Sequence, residues 1–335
     1  MGYYYFKGKD RQRIMENSLH NFRFARFHFF LRALENIGLP AYKGSTLRGG
    51  FGHAFKKVVC INREKTCESC LLKEKCAYSY IFETPPPPNT SKMRKYPYAP
   101  HPFVITPPLE EKREYRQGET LCFELTLIGK SIDFLPYFIY TFDELGQIGI
   151  GKGKGRYKLE ELRTSMNRNG GEMIYSSADK ILRQNVQSVG LNEILPHFSR
   201  ASSSDFLTIN FITPTRLKFD GRLSEALEFH ILFRNMLRRI SLLSYFHCEE
   251  ELDLDYRGLI EESLNVRVKK SNLHWFDWER YSNRQETRMM MGGFTGQVTF
   301  EGETEPFLPF LLLGEYIHVG KGTSFGLGKY QITWN

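Results

Sequence analysis

Four cysteines, Cys60, Cys67, Cys70 and Cys76, are spaced C-x6-C-x2-C-x5-C. One C-x2-C knuckle with two flanking cysteines can close a tetrahedron of thiolates around zinc. A structural Zn2+ is therefore expected here; an iron–sulfur cluster and a set of reduced thiols are the alternatives. The charges of the segment nearly balance, Arg63, Lys65, Lys73 and Lys75 against Glu64, Glu68 and Glu74, so it reads as scaffold rather than binding surface. Cys122 and Cys248 stand apart from it. The other group suited to chemistry is histidine, whose pKa near neutrality fits general acid–base work. Geometry singles out one of the nine. In residues 45–59, STLRGGFGHAFKKVV, Leu47, Phe51, Phe55 and Val58 recur at helical spacing and define a buried face. His53 lies about 200° round from Phe51 at roughly 100° per residue. Its own face carries Gly49, Gly50, Lys56 and Lys57, small and basic positions that a nucleic-acid backbone could approach. A solvated helix histidine with no further role is the alternative.

The elements that must carry these groups form two series. Phe27, Phe29 and Leu31 alternate with Arg26, His28, Phe30 and Arg32, the period of a half-buried strand. Phe22 and Phe24 fall in the opposite phase, which predicts a bulge near Ala25. Helix 45–59 and the cysteine segment follow, then a strand at 78–82 and an extended proline spacer at 85–88. Strands at 103–106 and 121–127 and a helix over 133–145 complete the first series. Residues 164–205 are polar, with Asn169-Gly170-Gly171 and Ser202-Ser203-Ser204, and read as a linker holding one short helix. The pattern then restarts with strand 206–213, helix 223–246, strands near 274–281 and 297–300, and helix 306–316. Each series ends with a helix that empties into glycines: GIGKGKG before Arg156-Tyr157-Lys158-Leu159, and GKGTSFGLG before Lys329-Tyr330-Gln331-Ile332. Gly155 and Gly328 are 173 residues apart, about half the chain. This echo predicts a tandem duplication of one β-α-β-β-α-β unit. The expected fold is α+β: two ferredoxin-like (RRM-like) domains, 1–165 with the cysteine-rich insertion 60–76, and 206–335, joined by a linker at 166–205.

Composition narrows the function classes. The chain has 335 residues, 41% of them hydrophobic and 25% charged, as in an ordinary folded protein of two domains. The best apolar run, 307–313, contains Pro309 and falls short of the ~20 residues a spanning helix needs. The opening MGYYYFKGKDRQR has no apolar core of a leader, so a cytoplasmic address with reduced thiols is expected. A net charge of +8 hints at a polyanionic partner, and residues 149–158, GIGKGKGRYK, hold four positive charges and no negative one. Neither glycine-rich segment has the Rossmann or P-loop spacing, and both close a helix where those motifs open one. Lys152, Lys154, Lys321 and Lys329 beside glycines suit a nucleic-acid backbone better than a dinucleotide; structural punctuation is the alternative. Arg234, Arg238 and Arg239 form either a basic stripe or the solvated side of the long helix. The acidic run 249–255 reads as a solvated loop.

Three strings carry a resemblance: AYKGSTLRGGFGHAFKKVVC, the cysteine cluster ending in CAYSYIFETP, and RMMMGGFTGQVTFEGE with LGEYIHVGKGTSFGLGKY. They resemble the CRISPR-associated endoribonucleases of the RAMP superfamily, which process precursor CRISPR RNA. The resemblance implies two ferredoxin-like domains binding CRISPR repeat RNA, with metal-independent cleavage that leaves a 2′,3′-cyclic phosphate. It also implies a catalytic histidine in or just after the first helix, where His53 stands, and marks the second glycine-rich loop as a family hallmark. On this reading His53 is the base, Lys57 stabilises the phosphorane with Lys56 as understudy, and Tyr42 is the candidate acid. His318 contacts RNA or replaces His53, and His28 lies on an outer strand face that RNA could touch. The expected RNA contacts are Arg48, Lys56, Lys152, Lys154, Arg156, His318, Lys321, Ser324 and Lys329. Other CRISPR effector subunits are possible partners. The runner-up function is a non-cleaving RAMP subunit that holds guide RNA in an effector complex; a zinc-stabilised adaptor without RNA is the third.

Overall fold

The computed structural model describes residues 19–62, 66–164, 171–183, 186–195, 206–224, 226–282 and 287–334. The chain divides into two compact units: residues 24–188 with 324–326, and residues 1–23, 189–323 and 327–335. In the first unit β1 (Phe24–Ala33), β2 (Ile37–Gly38) and α1 (Gly44–Val59) are followed by β3 (Phe103–Thr106), β4 (Glu114–Tyr115) and β5 (Thr120–Ile128). Then come α2 (Leu135–Ile148), β6 (Tyr157–Thr164) and β7 (Met173–Ser176). The main sheet runs β3-β5-β1-β6-β7, every neighbour antiparallel. Its first four strands have the ferredoxin-like order, with the first strand of the unit at the centre.

Alternation in β1 sets which face is core. Phe27, Phe29 and Leu31 are buried, and Phe29 stacks on Phe123 of β5 at 4.9 Å and meets Phe142 of α2 at 5.1 Å. On the other face Arg26 and His28 approach Glu124 at 3.3 and 3.6 Å, which engages His28 within the sheet. Phe24 and Ala25 are both buried, and no bulge occurs there; the register slips instead opposite Phe30 and Leu31, where β6 carries the extra residue Glu160. The aromatic centre is Phe51 of α1, stacked on Phe138 at 4.7 Å, Phe55 at 5.1 Å and Phe142 at 5.3 Å. Residues 78–82 are helical, not a strand. Tyr78 and Phe82 are one turn apart, stack at 5.2 Å, and close over Phe55 and Phe51. Spacing i, i+4 thus prevailed over apparent alternation.

The second unit contains α3 (Leu191–Ile194), β8 (Phe206–Thr215), β9 (Lys218–Phe219), β10 (Arg222–Leu223), α4 (Phe229–His247) and α5 (Tyr256–Ser263). It continues through β11 (Arg267–Phe276), β12 (Glu279–Ser282), β13 (Thr287–Met290), β14 (Gly293–Glu301), α6 (Leu308–Ile317) and β15 (Tyr330–Trp334). Its sheet runs β11-β14-β8-β15, again antiparallel and again in ferredoxin-like order. The predicted duplication is therefore present in the topology. Two boundaries moved. The first unit extends to residue 188 because 173–176 pairs with β6 as an edge strand instead of serving as linker. The long helix starts at Phe229 because Asp220-Gly221, at φ 47° and 80°, turns β9 into β10 as a tight hairpin.

Candidate nucleic-acid interface

α1 buries Leu47, Phe51, Ala54 and Phe55, exposes His53 and Lys57, and leaves Lys56 half-buried. Its glycines have different causes. A Cβ at Gly44 would lie 2.0 Å from the Phe325 carbonyl oxygen, and one at Gly52 would lie 2.0 Å from Cζ of Phe82. At Gly49 nothing lies within 4 Å. A helix-interior glycine costs about 1 kcal/mol relative to alanine. Packing explains that cost at Gly44 and Gly52 and not at Gly49, which sits one turn before His53 on the exposed face. The open backbone, the imidazole and the Lys57 ammonium share one side of the helix.

The two glycine-rich loops share their anchoring hydrogen bonds, although the second is four residues longer. Gly149 and His318 cap their helices at φ 84°, ψ 158° and φ 63°, ψ 170°. The next residue donates to a glycine carbonyl in each: Ile150 N to Gly155 O and Val319 N to Gly328 O, both 3.0 Å. Lys152 N bonds Gly38 O and Lys321 N bonds Arg216 O, both 2.9 Å, so the two lysines hold equivalent places with exposed side chains. Tyr157 and Tyr330 hydroxyls donate to Phe142 O at 2.8 Å and Leu311 O at 2.5 Å. Lys154 is also exposed, and Lys329 is half-buried.

Several expected contact residues are committed elsewhere. His318 is fully buried and its Nδ1 lies 3.1 Å from Leu327 O, so it neither reaches RNA nor substitutes for His53. Ser324 is buried, which removes it from the contact set. Arg48 lies over Phe82 at 3.9 Å and Phe325 at 4.8 Å, with its NH2 nitrogen 3.4 Å from His101; its guanidinium is packing. Arg156 is exposed but forms a two-nitrogen pair with Glu35 Oε1 at 2.7 and 2.9 Å, which neutralises it. The Tyr42 hydroxyl donates to Phe325 O at 2.9 Å, and burial holds its pKa well above the usual value, so its proton is engaged in the fold. Arg239 leaves the basic stripe. Burial pushes its pKa down to about 9, and it caps α6 by donating to Ile317 O and His318 O at 2.8 to 3.1 Å. Arg234 and Arg238 stay exposed.

The cysteine segment lies in one neighbourhood. Burial pushes the Cys67 thiol up; Lys56 lowers it, and Glu83, Cys60 and Cys76 raise it further. With the side chains as they stand, no three His, Cys, Asp or Glu groups among the described residues are close enough to hold a metal ion.

Two surfaces escaped the sequence reading. The edge strand β11 exposes Arg267, Lys269 and Lys270 at its start and Trp275 and Phe276 at its end, cations followed by rings in RVKKSNLHWF. Residues 84–99 form a closed loop: Ala99 N donates to Thr84 O at 2.8 Å, and Thr84 Oγ1 donates back to Ala99 O at 3.0 Å. Its tip exposes Arg94, Lys95, Tyr96 and Tyr98, and no acidic residue occurs from Thr84 to Leu109. That acid-free run was the available signal.

Comparison with known proteins follows the same division. A family described as an N-terminal domain matches residues 22–187, and the family of the CRISPR-associated endoribonuclease Cas6 matches residues 209–330. Residues 209–330 thus carry a Cas6-family domain. It is 24% identical to an uncharacterized protein of Archaeoglobus fulgidus over 301 residues, 88% of this chain and 92% of that one. Identity to the CRISPR-associated endoribonuclease Cas6 of Streptococcus thermophilus is 25% over 149 residues, 44% of this chain and 58% of that one. A Cas6 product complex shares the fold at TM-score 0.56 and 17% identity, covering 93% of this chain and 99% of its own. A partial Cas6-RT-Cas1–Cas2 complex also gives TM-score 0.56 at 13% identity, covering 94% of this chain. This protein spans 46% of the length of that larger chain. No helix among the described residues is long and apolar enough to cross a membrane.

Proposed function

We propose that this protein binds CRISPR repeat RNA and cleaves precursor CRISPR RNA once per repeat, without a metal ion in the chemical step. The observation that carries the reading is the exposed face of α1, where His53 and Lys57 follow, one and two turns on, a backbone left open at Gly49. His53 takes the proton of the 2′-hydroxyl. The 2′-oxygen attacks the adjacent phosphorus, the bond from phosphorus to the 5′-oxygen breaks, and that oxygen takes a proton from solvent water, so that one product ends in a 2′,3′-cyclic phosphate. Lys57 offsets the charge that builds on the phosphorane. Lys152, Lys154 and Lys321 hold the RNA backbone, and the cationic, aromatic strand β11 adds stacking and charge to duplex or flanking nucleotides. The likeness to a Cas6-RT-Cas1–Cas2 complex supports further CRISPR subunits as partners. The test is end-labelled repeat RNA incubated in EDTA with wild type and His53→Ala, beside RNA carrying a 2′-deoxy at the cut. One discrete cut by wild type, blocked by the deoxy sugar and lost in His53→Ala, is expected. Tight binding without any cut would leave a guide-holding subunit in its place.

A further inference from the structure

We propose that Cys60, Cys67, Cys70 and Cys76 bind one structural Zn2+ that fastens the C-terminal end of α1 to the segment after it. The described residues of the segment have little core of their own. Its two 3-10 turns, Cys67–Ser69 and Lys73–Lys75, contain no buried residue, while Ile61 and Leu71 are 83% and 97% exposed. Short segments without a core of their own are stabilised by a disulfide or a metal, and none of the four cysteines is in a disulfide. Local backbone turns suit the set, and Cys67 stands near two of its members. Cys60 caps α1, its N–H donating to Lys56 O at 2.9 Å. Cys70 N donates to Cys67 O at 3.4 Å, the turn that a C-x2-C knuckle requires. Cys67 and Cys76 both pack against the edge of the hydrophobic core, and the thiol of Cys67 lies within electrostatic reach of Cys60 and Cys76.

The sulfurs do not stand at ligand spacing as placed, and closing the set needs side-chain rotation. A cysteine has a single χ1 with three staggered wells, so each Sγ can change direction without moving the backbone. Zinc is favoured over the harder divalent ions by an all-thiolate set. Four thiolates fill all tetrahedral positions and leave none for substrate, so the ion has no part in the cleavage step. Its effect is mechanical: Cys60 follows directly on the turn that carries Lys56 and Lys57, and Cys76 leads into the Tyr78 and Phe82 rings that close over Phe51 and Phe55.

The test reads metal and thiols, not RNA, so it stands or falls apart from the cleavage reading. Full-length protein, expressed with zinc and freed of loose metal by gel filtration, is analysed for zinc and iron. Its thiols are then titrated with a mercurial while zinc release is followed with a chromogenic chelator. One zinc per chain, released in step with four thiols, is expected. Replacement by Co2+ should give the visible bands of a tetrahedral thiolate site. Cys67→Ser/Cys70→Ser should retain less than a tenth of the metal, whereas Cys122→Ser keeps all of it. Iron in place of zinc, a disulfide by mass, or wild-type protein without metal and with four freely reactive thiols would overturn the proposal. The wild-type measurement decides even if the double variant does not fold.

Discussion

Gly49→Ala and Gly52→Ala make the same chemical change three residues apart on α1, yet the structure gives them opposite outcomes. Each substitution gains about 0.5–1 kcal/mol from helix propensity and from the lower entropy of the unfolded chain. At Gly49 the new methyl meets nothing within 4 Å, so the whole gain should appear as stability. For a unit of this size that raises Tm by roughly 1–4 °C. At Gly52 the methyl falls 2.0 Å from Phe82 Cζ, a ring hemmed in by Tyr78 at 5.2 Å and by Arg48 at 3.9 Å. Overpacking of that kind costs about 1–3 kcal/mol, which cancels the gain and leaves a net loss of up to about 2 kcal/mol. The functional side of the experiment is sharper. If RNA lies along the face that holds His53, the stabilised Gly49→Ala protein should bind repeat RNA at least several-fold more weakly and cut it more slowly. Thermal melts and filter binding on the two variants supply the readouts. Equal Tm shifts in the two variants would refute the packing argument. Wild-type binding and cleavage by Gly49→Ala would refute the placement of RNA on this helix face.

Tyr42→Phe should keep cleavage within a few-fold of wild type and lose about 1 kcal/mol of stability, the worth of its bond to Phe325 O; loss of cleavage with unchanged Tm would restore it as the proton donor. Arg239→Met should lower stability by roughly 2 kcal/mol in urea melts, because the Ile317 and His318 carbonyls lose their donors. An unchanged midpoint would deny the guanidinium its capping role. Lys152→Ala/Lys321→Ala should weaken RNA binding and flatten its dependence on salt concentration by about two counterions, since both side chains are exposed on anchored loops. An unaltered salt slope would mean that the loops stand clear of the RNA.

Periodicity was enough for the skeleton. The alternation around Phe27, the helical recurrence around Phe51 and the repeated helix-glycine-strand ending led to the duplicated topology, because these patterns report burial directly. Residues 78–82 misled because Tyr78, Tyr80 and Phe82 alternate as in a strand while Tyr78 and Phe82 also fit one helical turn, and only the rings of Phe51 and Phe55 decide between the two. The site was less legible for a related reason. Charge and residue type show what a side chain can do and say nothing of what it is already doing. Arg48 between rings, Arg156 on Glu35 and His318 under Leu327 all have binding chemistry spent within the fold. Those partners lie 34 or more residues away in the cases of Arg48 and Arg156, beyond any local pattern. His53 and Lys57 could be assigned to an exposed face because that follows from helix geometry alone.

His318 and Gly149 also bear on what a mutational library of this protein would record. Both backbones sit in a region of φ and ψ that suits glycine and costs a residue with a Cβ about 1–3 kcal/mol. At 149 the sequence has the residue the backbone prefers. At 318 a histidine occupies the same conformation, its ring bonded to Leu327 O. Substitution scores normally rank alanine as the mildest replacement and glycine as harsher. Position 318 should invert that order: alanine loses the ring and keeps the strain, whereas glycine loses the ring and is rid of the strain. A tolerance profile led by glycine would mark the site where one copy of the duplicated loop exchanged backbone ease for a side-chain bond.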